Sequence, residues 1–298
     1  MLLKSGVCLI CTLFLGVSMK PNSLFTFVYA LFFIFSTPQQ LLAGETLDIK
    51  AREALAGSHR SEKNRSRDQY RNPIETLKFF GVTPEATVLE ISPGRGWYTE
   101  VLAPIFRDSG VYYVATWDIP SLPENIQPYL EKLDQGYRGF IKENPAIYDQ
   151  VRIITYNSKK PEFLTPEKFD FVMTFRNVHN WSKRGNDALM FMAFFNALKP
   201  GGILGVTDHR AKPSTPFDKQ TESGYMTEKY VIDLANKVGF ELAGKSDINA
   251  NPKDTADHPG GVWNLPPTLR NVASSDKEKY IQIGESDRMT LKFVKPKD

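Results

Sequence analysis

The sequence predicts an α/β protein with a doubly wound, mostly parallel sheet of seven strands, the last of them antiparallel. Three observations predict it. Apolar, strand-like runs alternate with helix-like segments along residues 72–294. Those runs are near-continuously apolar, as a sheet covered on both faces requires. The first of them ends in a glycine turn, Ser92-Pro93-Gly94-Arg95-Gly96, that opens a helix. An α/β sheet holds a nucleotide-like ligand against bare backbone at such a turn.

The elements follow in order. Asn72-Pro73 followed by Ile74 to Gly81 predicts a helix with proline in its first turn and glycine at its end. Residues 87–91 form the first strand and Tyr98 to Phe106 the next helix. Val111 to Trp117 is the second strand, ending at Asp118. Val151 to Tyr156 is the third and Phe169 to Phe175 the fourth. A helix over 185–198 stops at Lys199-Pro200-Gly201-Gly202, and Ile203 to Thr207 is the fifth strand. Thr227 to Val238 is a helix closed by Gly239. Phe240 to Lys245 and Arg288 to Val294 complete the sheet. This succession implies a doubly wound topology.

The glycine turn excludes two ligand classes. A dinucleotide fingerprint needs a third glycine where this chain has Thr99, and a P-loop needs Gly-Lys-Ser/Thr where Gly96 is followed by Trp97-Tyr98. The pattern left is an acid inside the strand end, Glu90, then Ser92, Gly94 and Gly96. It resembles motif I of the class I S-adenosylmethionine (SAM)-dependent methyltransferases, with Ser92 where the first glycine often stands. The resemblance implies SAM as cofactor. SAM's cationic amino group favours a carboxylate such as Glu90, and Gly94 and Gly96 keep side chains out of the ligand's way. A strand–turn–helix that merely needs glycine for its turn is the bland alternative for this motif taken singly.

The second half of the chain strengthens the resemblance. The family places an acid on the ribose hydroxyls at the end of strand two; Asp118 stands there, 28 residues after Glu90. An Asn/His/Trp cluster after strand four appears as Asn177, His179 and Trp181, and the helix that follows runs into Leu198-Lys199-Pro200-Gly201-Gly202. Within the superfamily, Ser92–Glu100, Phe175–Trp181, Thr207–Ala211, Gly284–Phe293 and the Arg60…Asp68…Arg71…Pro73 segment resemble a bacterial group of signal-peptide-bearing predicted methyltransferases. That likeness spans about residues 51–296 and implies no particular substrate.

Residues 1–44 contain Lys4 and Lys20 and no acid. They hold two apolar runs, Gly6 to Val17 and Leu24 to Phe35, each shorter than the ~20 residues of a membrane span. The second run makes a complete secretory signal if the true start is Met19, with cleavage near Ala43 or Gly44. The expected domains are thus a signal-peptide region, 1–44, and a methyltransferase domain, 45–298. An uncleaved anchor or a two-span hairpin is the alternative. Both cysteines, Cys8 and Cys11, fall in the removable part, so the mature chain would have no disulfide, thiolate nucleophile or cysteine metal site, consistent with a periplasmic or secreted protein. Two of the 37 basic residues lie in 1–44, leaving 35 against 34 acids. Such a balance gives no footprint for nucleic acid. The run His59 to Arg71 is basic but interleaved with acids, and reads as a solvated face.

Candidate chemistry falls at strand C-terminal ends. His179, after strand four, and His209, after strand five, are candidate general bases, with Asp208 as orienter. Asn177 and Trp181 are placed to line the SAM or acceptor pocket, and Arg176 and Arg210 to grip an anionic acceptor. The segment 250–285 is long enough to be a lid, offering His258, Trp263 and Arg270. Asp287 and Arg288 read as hairpin supports. The histidines and acids are not spaced as a metal set, so no metal is expected. The function predicted is methyl transfer from SAM to a small-molecule or envelope acceptor. SAM is made in the cytoplasm, which leaves open a second class, a non-catalytic SAM- or nucleoside-binding protein on the same scaffold; an NAD enzyme is disfavoured by Thr99.

Overall fold

The structure, a computed structural model, describes residues 38–297, with side chains from residue 46 onward. The apolar leader, the alternative start at Met19 and both cysteines lie outside the described residues. Among the described residues no helix is long and apolar enough to cross a membrane.

Helices α1 (Pro38–Ala56), α2 (Glu62–Arg65) and α3 (Pro73–Phe80) precede the sheet. Pro73 opens α3, and Gly81 closes it in the left-handed region, its N–H donating to the Leu77 and Lys78 carbonyls. Then come β1 (Thr87–Ile91), α4 (Thr99–Phe106), β2 (Val111–Trp117), α5 (Gln127–Glu143), α6 (Pro145–Tyr148), β3 (Arg152–Tyr156), β4 (Phe169–Phe175), α7 (Val178–Arg184) and α8 (Asp187–Ala197). The chain ends with β5 (Leu198–His209), α9 (Phe217–Ser223), α10 (Glu228–Lys237), β6 (Glu241–Ser246), α11 (Lys277–Ile283) and β7 (Arg288–Val294).

The seven strands form one sheet in the order β3-β2-β1-β4-β5-β7-β6. The first five strands pair in parallel, and β7 inserts antiparallel between β5 and β6. Alternate strand residues feed two cores. Leu89 and Ile91 pack with Phe191, Phe194 and Trp181 on the α7–α8–α10 face. Val88 packs with Leu77, Phe80, Val101 and Phe106 on the α1–α3–α4 face. Burial of each such side chain stabilises by about 1.5–3 kcal/mol.

Four local readings change. The predicted helix 185–198 is α8, trimmed to Asp187–Ala197, and a further short helix, α7, precedes it over the Asn/His/Trp cluster and ends at Gly185 with φ +71. β5 begins at Leu198 and absorbs the Lys199–Gly202 turn as an irregularity, its register jumping from Phe169↔Leu198 to Phe171↔Ile203. It also runs on to His209. Helix α5 has no counterpart in the sequence reading; Leu130 and Tyr137 bury one face of its 17 residues.

The fourth change is the basic run. His59 to Arg71 is only partly a solvated face: Ser61 to Lys63, Ser66 and Gln69 are exposed, but Arg60 and Arg71 are buried. Arg60 is 3% exposed and grips Asp68 through two hydrogen bonds of 2.7 Å, with a third to Glu100. His59 Nε2 donates to the Glu100 carbonyl at 2.8 Å. Pro104 explains that contact: it sits four residues on in α4 and has no N–H for that carbonyl. Arg67 and Arg71 reach Glu285, more than 200 residues away in sequence.

Candidate active site

A cavity of about 620 Å³ opens at the carboxyl ends of β1, β2, β4 and β5, in the size range of small-molecule sites. Its floor is the β1 turn: Glu90, Ser92, Pro93 and Gly94 line it. One wall is apolar, from Trp117 at the end of β2 and Ile126, Leu130 and Leu133 around α5. The opposite wall is basic and aromatic, with Arg67, Arg71, Tyr98, Phe175 and Arg176. Trp263 and Arg270 of the 250–285 segment face it, with Pro266 to Thr268 between them.

The turn is strained where it meets the cavity. Ser92 and Gly94 have φ values of +52 and +63, and Ser92, a non-glycine in the left-handed region, keeps its hydroxyl 3.0 Å from the Tyr156 hydroxyl. A Cβ on Gly94 would meet no protein atom within 4 Å, so it would project into open space against a cavity-lining backbone. Gly96 is different. It does not line the cavity, and a Cβ there would fall 2.9 Å from the Phe140 ring. Its glycine seats α5 against the turn and does not clear a path for ligand, which corrects the expectation.

Glu90 is 2% exposed and accepts hydrogen bonds from the Tyr112 and Thr99 hydroxyls. Burial pushes its carboxyl up to about 7, against the lowering effect of those two donors. Asn177 donates to the Ile91 carbonyl at 3.0 Å and so ties the end of β4 to the end of β1. Asp118 follows Trp117 but is not itself among the lining residues.

The predicted bases come together. His179, in the first turn of α7, and His209, the last residue of β5, both line the cavity, with ring centroids 5.0 Å apart. Asp208 holds His179 twice, accepting from its backbone N–H at 3.0 Å and contacting Nδ1 at 2.9 Å. With Nδ1 donating to that carboxylate, Nε2 is the acceptor, and Asn180 Nδ2 lies 3.0 Å from it. His209 Nδ1 meets the Ser286 hydroxyl. Burial first, then His179, Arg288 and Arg176, push His209 well below the usual histidine range, so it is neutral.

Each ring of His179 and His209 and the Asp208 carboxylate offers a ligand atom within 4.8 Å of the others. Sequence spacing did not suggest this grouping, because β5 and α7 supply it jointly. Asp208 already accepts from three donors, counting the His209 N–H, and Arg176 and Arg288 bear on His209 from close by. That surrounding positive charge opposes a cation there.

Three predicted substrate residues lie elsewhere. Trp181 is 2% exposed and packs in the core against Phe194, not in the cavity. Arg210 is bound by Asp287 through two hydrogen bonds of 2.9 Å and by Glu228 and Asp247; it fastens β5 to the lead of β7. His258 is taken by Asp254 at 2.9 Å and does not line the cavity. Arg176 and Trp263 do line it. Sequence reasoning missed Arg67 and Arg71 as site residues. Their signal was the Arg60–Pro73 likeness, overruled by the interleaved acids.

No protein-family model matches the sequence, and no curated protein matches it. Solved structures do match. The cyclase SpnF is 16% identical, and the alignment covers 86% of this chain and 96% of that one at a TM-score of 0.51. A SAM-dependent methyltransferase from Aquifex aeolicus is 16% identical over 77% of this chain and 93% of its own, at a TM-score of 0.49. The glycopeptide N-methyltransferase MtfA complexed with sinefungin is 12% identical over 77% and 87%, at 0.47. The fold is that of the class I methyltransferases. At these identities the likeness speaks to fold alone, and function has to come from the site.

Proposed function

We propose that the protein is a SAM-dependent methyltransferase. The observation that carries this is the β1 turn: a buried Glu90 whose carboxyl burial raises to about 7, beside Ser92 and Gly94, all lining the cavity, with open space where a Gly94 side chain would stand. The residues present fit the cofactor. Glu90 would meet its ammonium, Gly94 its chain, and the apolar wall of Trp117, Leu130 and Leu133 its adenine. Asp118, at the end of β2 with no partner for its carboxylate among the described residues, would meet the ribose hydroxyls. Bound SAM would supply a sulfonium methyl for in-line displacement.

The chain's own residues supply the rest. His179 is the base. Asp208 holds it in the tautomer that leaves Nε2 free to take a proton from a neutral acceptor, with Asn180 as the group displaced. The 250–285 segment covers the acceptor side through Trp263 and Arg270 and would exclude water. Export to the periplasm, through the leader, stays part of the proposal.

Calorimetry of the full chain with SAM, S-adenosylhomocysteine and NAD tests the cofactor. Either sulfur ligand should bind and NAD should not. Asp118→Ala should weaken binding by about tenfold, the scale of one hydrogen-bonded charged group. No heat with either sulfur ligand from folded protein would remove the assignment. With methyl-labelled SAM and cell extract, His179→Ala should transfer label about a hundredfold more slowly; unchanged transfer would end the base role.

A further inference from the structure

We propose that the methyl acceptor carries an anionic group, a carboxylate or a phosphate, and that Arg67, Arg71 and Arg176 hold it beside His179 and His209. Calling the ligand an acceptor rests on the methyltransferase reading; the anion site itself stands on geometry.

The cavity wall concentrates positive charge. Seven lysine and arginine side chains line it against one carboxylate, Glu90, although the whole chain carries only +3. At the β4–β5 end, Arg67, Arg71, Arg176 and Arg288 surround a single acid, Glu285. Burial would raise that carboxyl, but Arg288, Arg71, Arg67 and Arg176 together hold it far below the usual range. Arg67, Arg71 and Arg288 each bond Glu285. Arg176 does not, and its guanidinium makes no hydrogen bond among the described residues.

The donors are unspent. Arg67 Nη2, Arg71 Nη2 and Arg176 Nε are buried without a partner, and Arg71 is only 2% exposed. Its guanidinium carbon sits over Trp97, 4.5 Å from the ring centroid, a cation–π contact that adds to the Glu285 bond in holding it. Buried guanidinium donors left open are costly, and a planar fork matches a carboxylate or phosphate. Arg176 is also held at φ +62 directly after β4, a strain of the kind found at ligand sites. SAM does not resolve the imbalance. Its sulfonium and ammonium outweigh its carboxylate, so the cofactor adds positive charge, and its one carboxylate occupies one guanidinium at most. Asp208 is already shared among three donors.

The test uses the full chain at constant ionic strength, titrated with inorganic phosphate and with acetate, each with and without S-adenosylhomocysteine. Saturable binding of at least one anion is expected, and the tighter of the two names the group. Arg176→Gln should weaken that anion by about tenfold or more while leaving S-adenosylhomocysteine within about threefold. Arg176→Lys, which keeps the charge but loses the fork, should fall between; it also serves if the glutamine variant does not fold. Absence of saturable anion binding would overturn the proposal. So would an Arg176→Gln variant that loses S-adenosylhomocysteine and keeps the anion, since the guanidinium would then serve the cofactor. Anion binding without S-adenosylhomocysteine binding would sink the cofactor reading and leave the anion site standing.

Discussion

Glu90 is a liability in the free protein and, under the proposed function, an asset in the cofactor complex. Its strand position puts it on the α4 face among Val88, Tyr112 and Tyr137, where water cannot reach it. The folded carboxyl titrates near 7 instead of its ordinary 4.5. The folded state therefore holds this proton more tightly than the unfolded chain. The stability this group contributes is fully present below pH 4.5 and is lost as pH rises through about 7. Glu90→Gln should remove that dependence and, at pH 8, stabilise the free protein by up to about 3 kcal/mol. Urea unfolding at pH 6 and 8 reads this out; a variant less stable than wild type at pH 8 would show that the carboxylate is not strained. The same substitution should weaken SAM, and SAM binding at pH 6 should release a proton, visible in calorimetry across buffers of different ionisation heat. The acid at the strand end was legible in the sequence. Its raised pKa was not, because that depends on which side chains the fold packs around it.

Elements decide what individual glycines do. Gly94 and Gly96 look alike in the sequence, two residues apart in one turn. The turn at the head of α4 separates them. Gly94 faces the cavity, and Gly96 faces Phe140 and Tyr137 of α5. Their alanine variants should therefore differ. Both pay the strain of positive φ, about 1–2 kcal/mol. Gly94→Ala should stop there in stability and lose S-adenosylhomocysteine by tenfold or more, since its Cβ would enter the space proposed for the ligand. Gly96→Ala should lose additional stability through the 2.9 Å approach to Phe140. Equal stability losses would show that α5 does not press on the turn. α5 itself was not read from the sequence; its Gly136 and Gly139 lie where a Cβ would meet nothing within 4 Å, so glycine there answers no packing need. α7 and β5 show the converse. Each carries one histidine, and only their pairing through the ends of β4 and β5 makes a dyad with Asp208.

Across the whole molecule, the site is closed by segments from the two ends of the described chain. Arg67 and Arg71 precede the first strand, and Glu285 and Arg288 lead into the last, yet they meet in one buried cluster. Glu285→Ala would leave three guanidiniums buried without their shared carboxylate. It should destabilise the protein by about 3–5 kcal/mol, measured by urea denaturation, and loosen the basic wall of the cavity. A loss below about 1 kcal/mol would mean that water already neutralises the cluster. Of the acids interleaved in His59 to Arg71, Asp68 satisfies Arg60 locally, while Arg67 and Arg71 are taken from afar by Glu285.

The sequence by itself determined the sheet, the antiparallel last strand, the glycine turn after β1 and the two histidines at the strand ends, because apolar periodicity, glycine turns and strand termini are local properties. Only the tertiary structure decided which charged side chains face the cavity. Arg210 and His258 were plausible ligand residues until Asp287 and Asp254 claimed them, and Trp181 until the core did. Arg67 and Arg71 became site residues only when β7 brought Glu285 beneath them. A charge is assigned to solvent, partner or ligand by what stands within a few ångströms of it, and those neighbours are set by contacts between residues far apart in the chain.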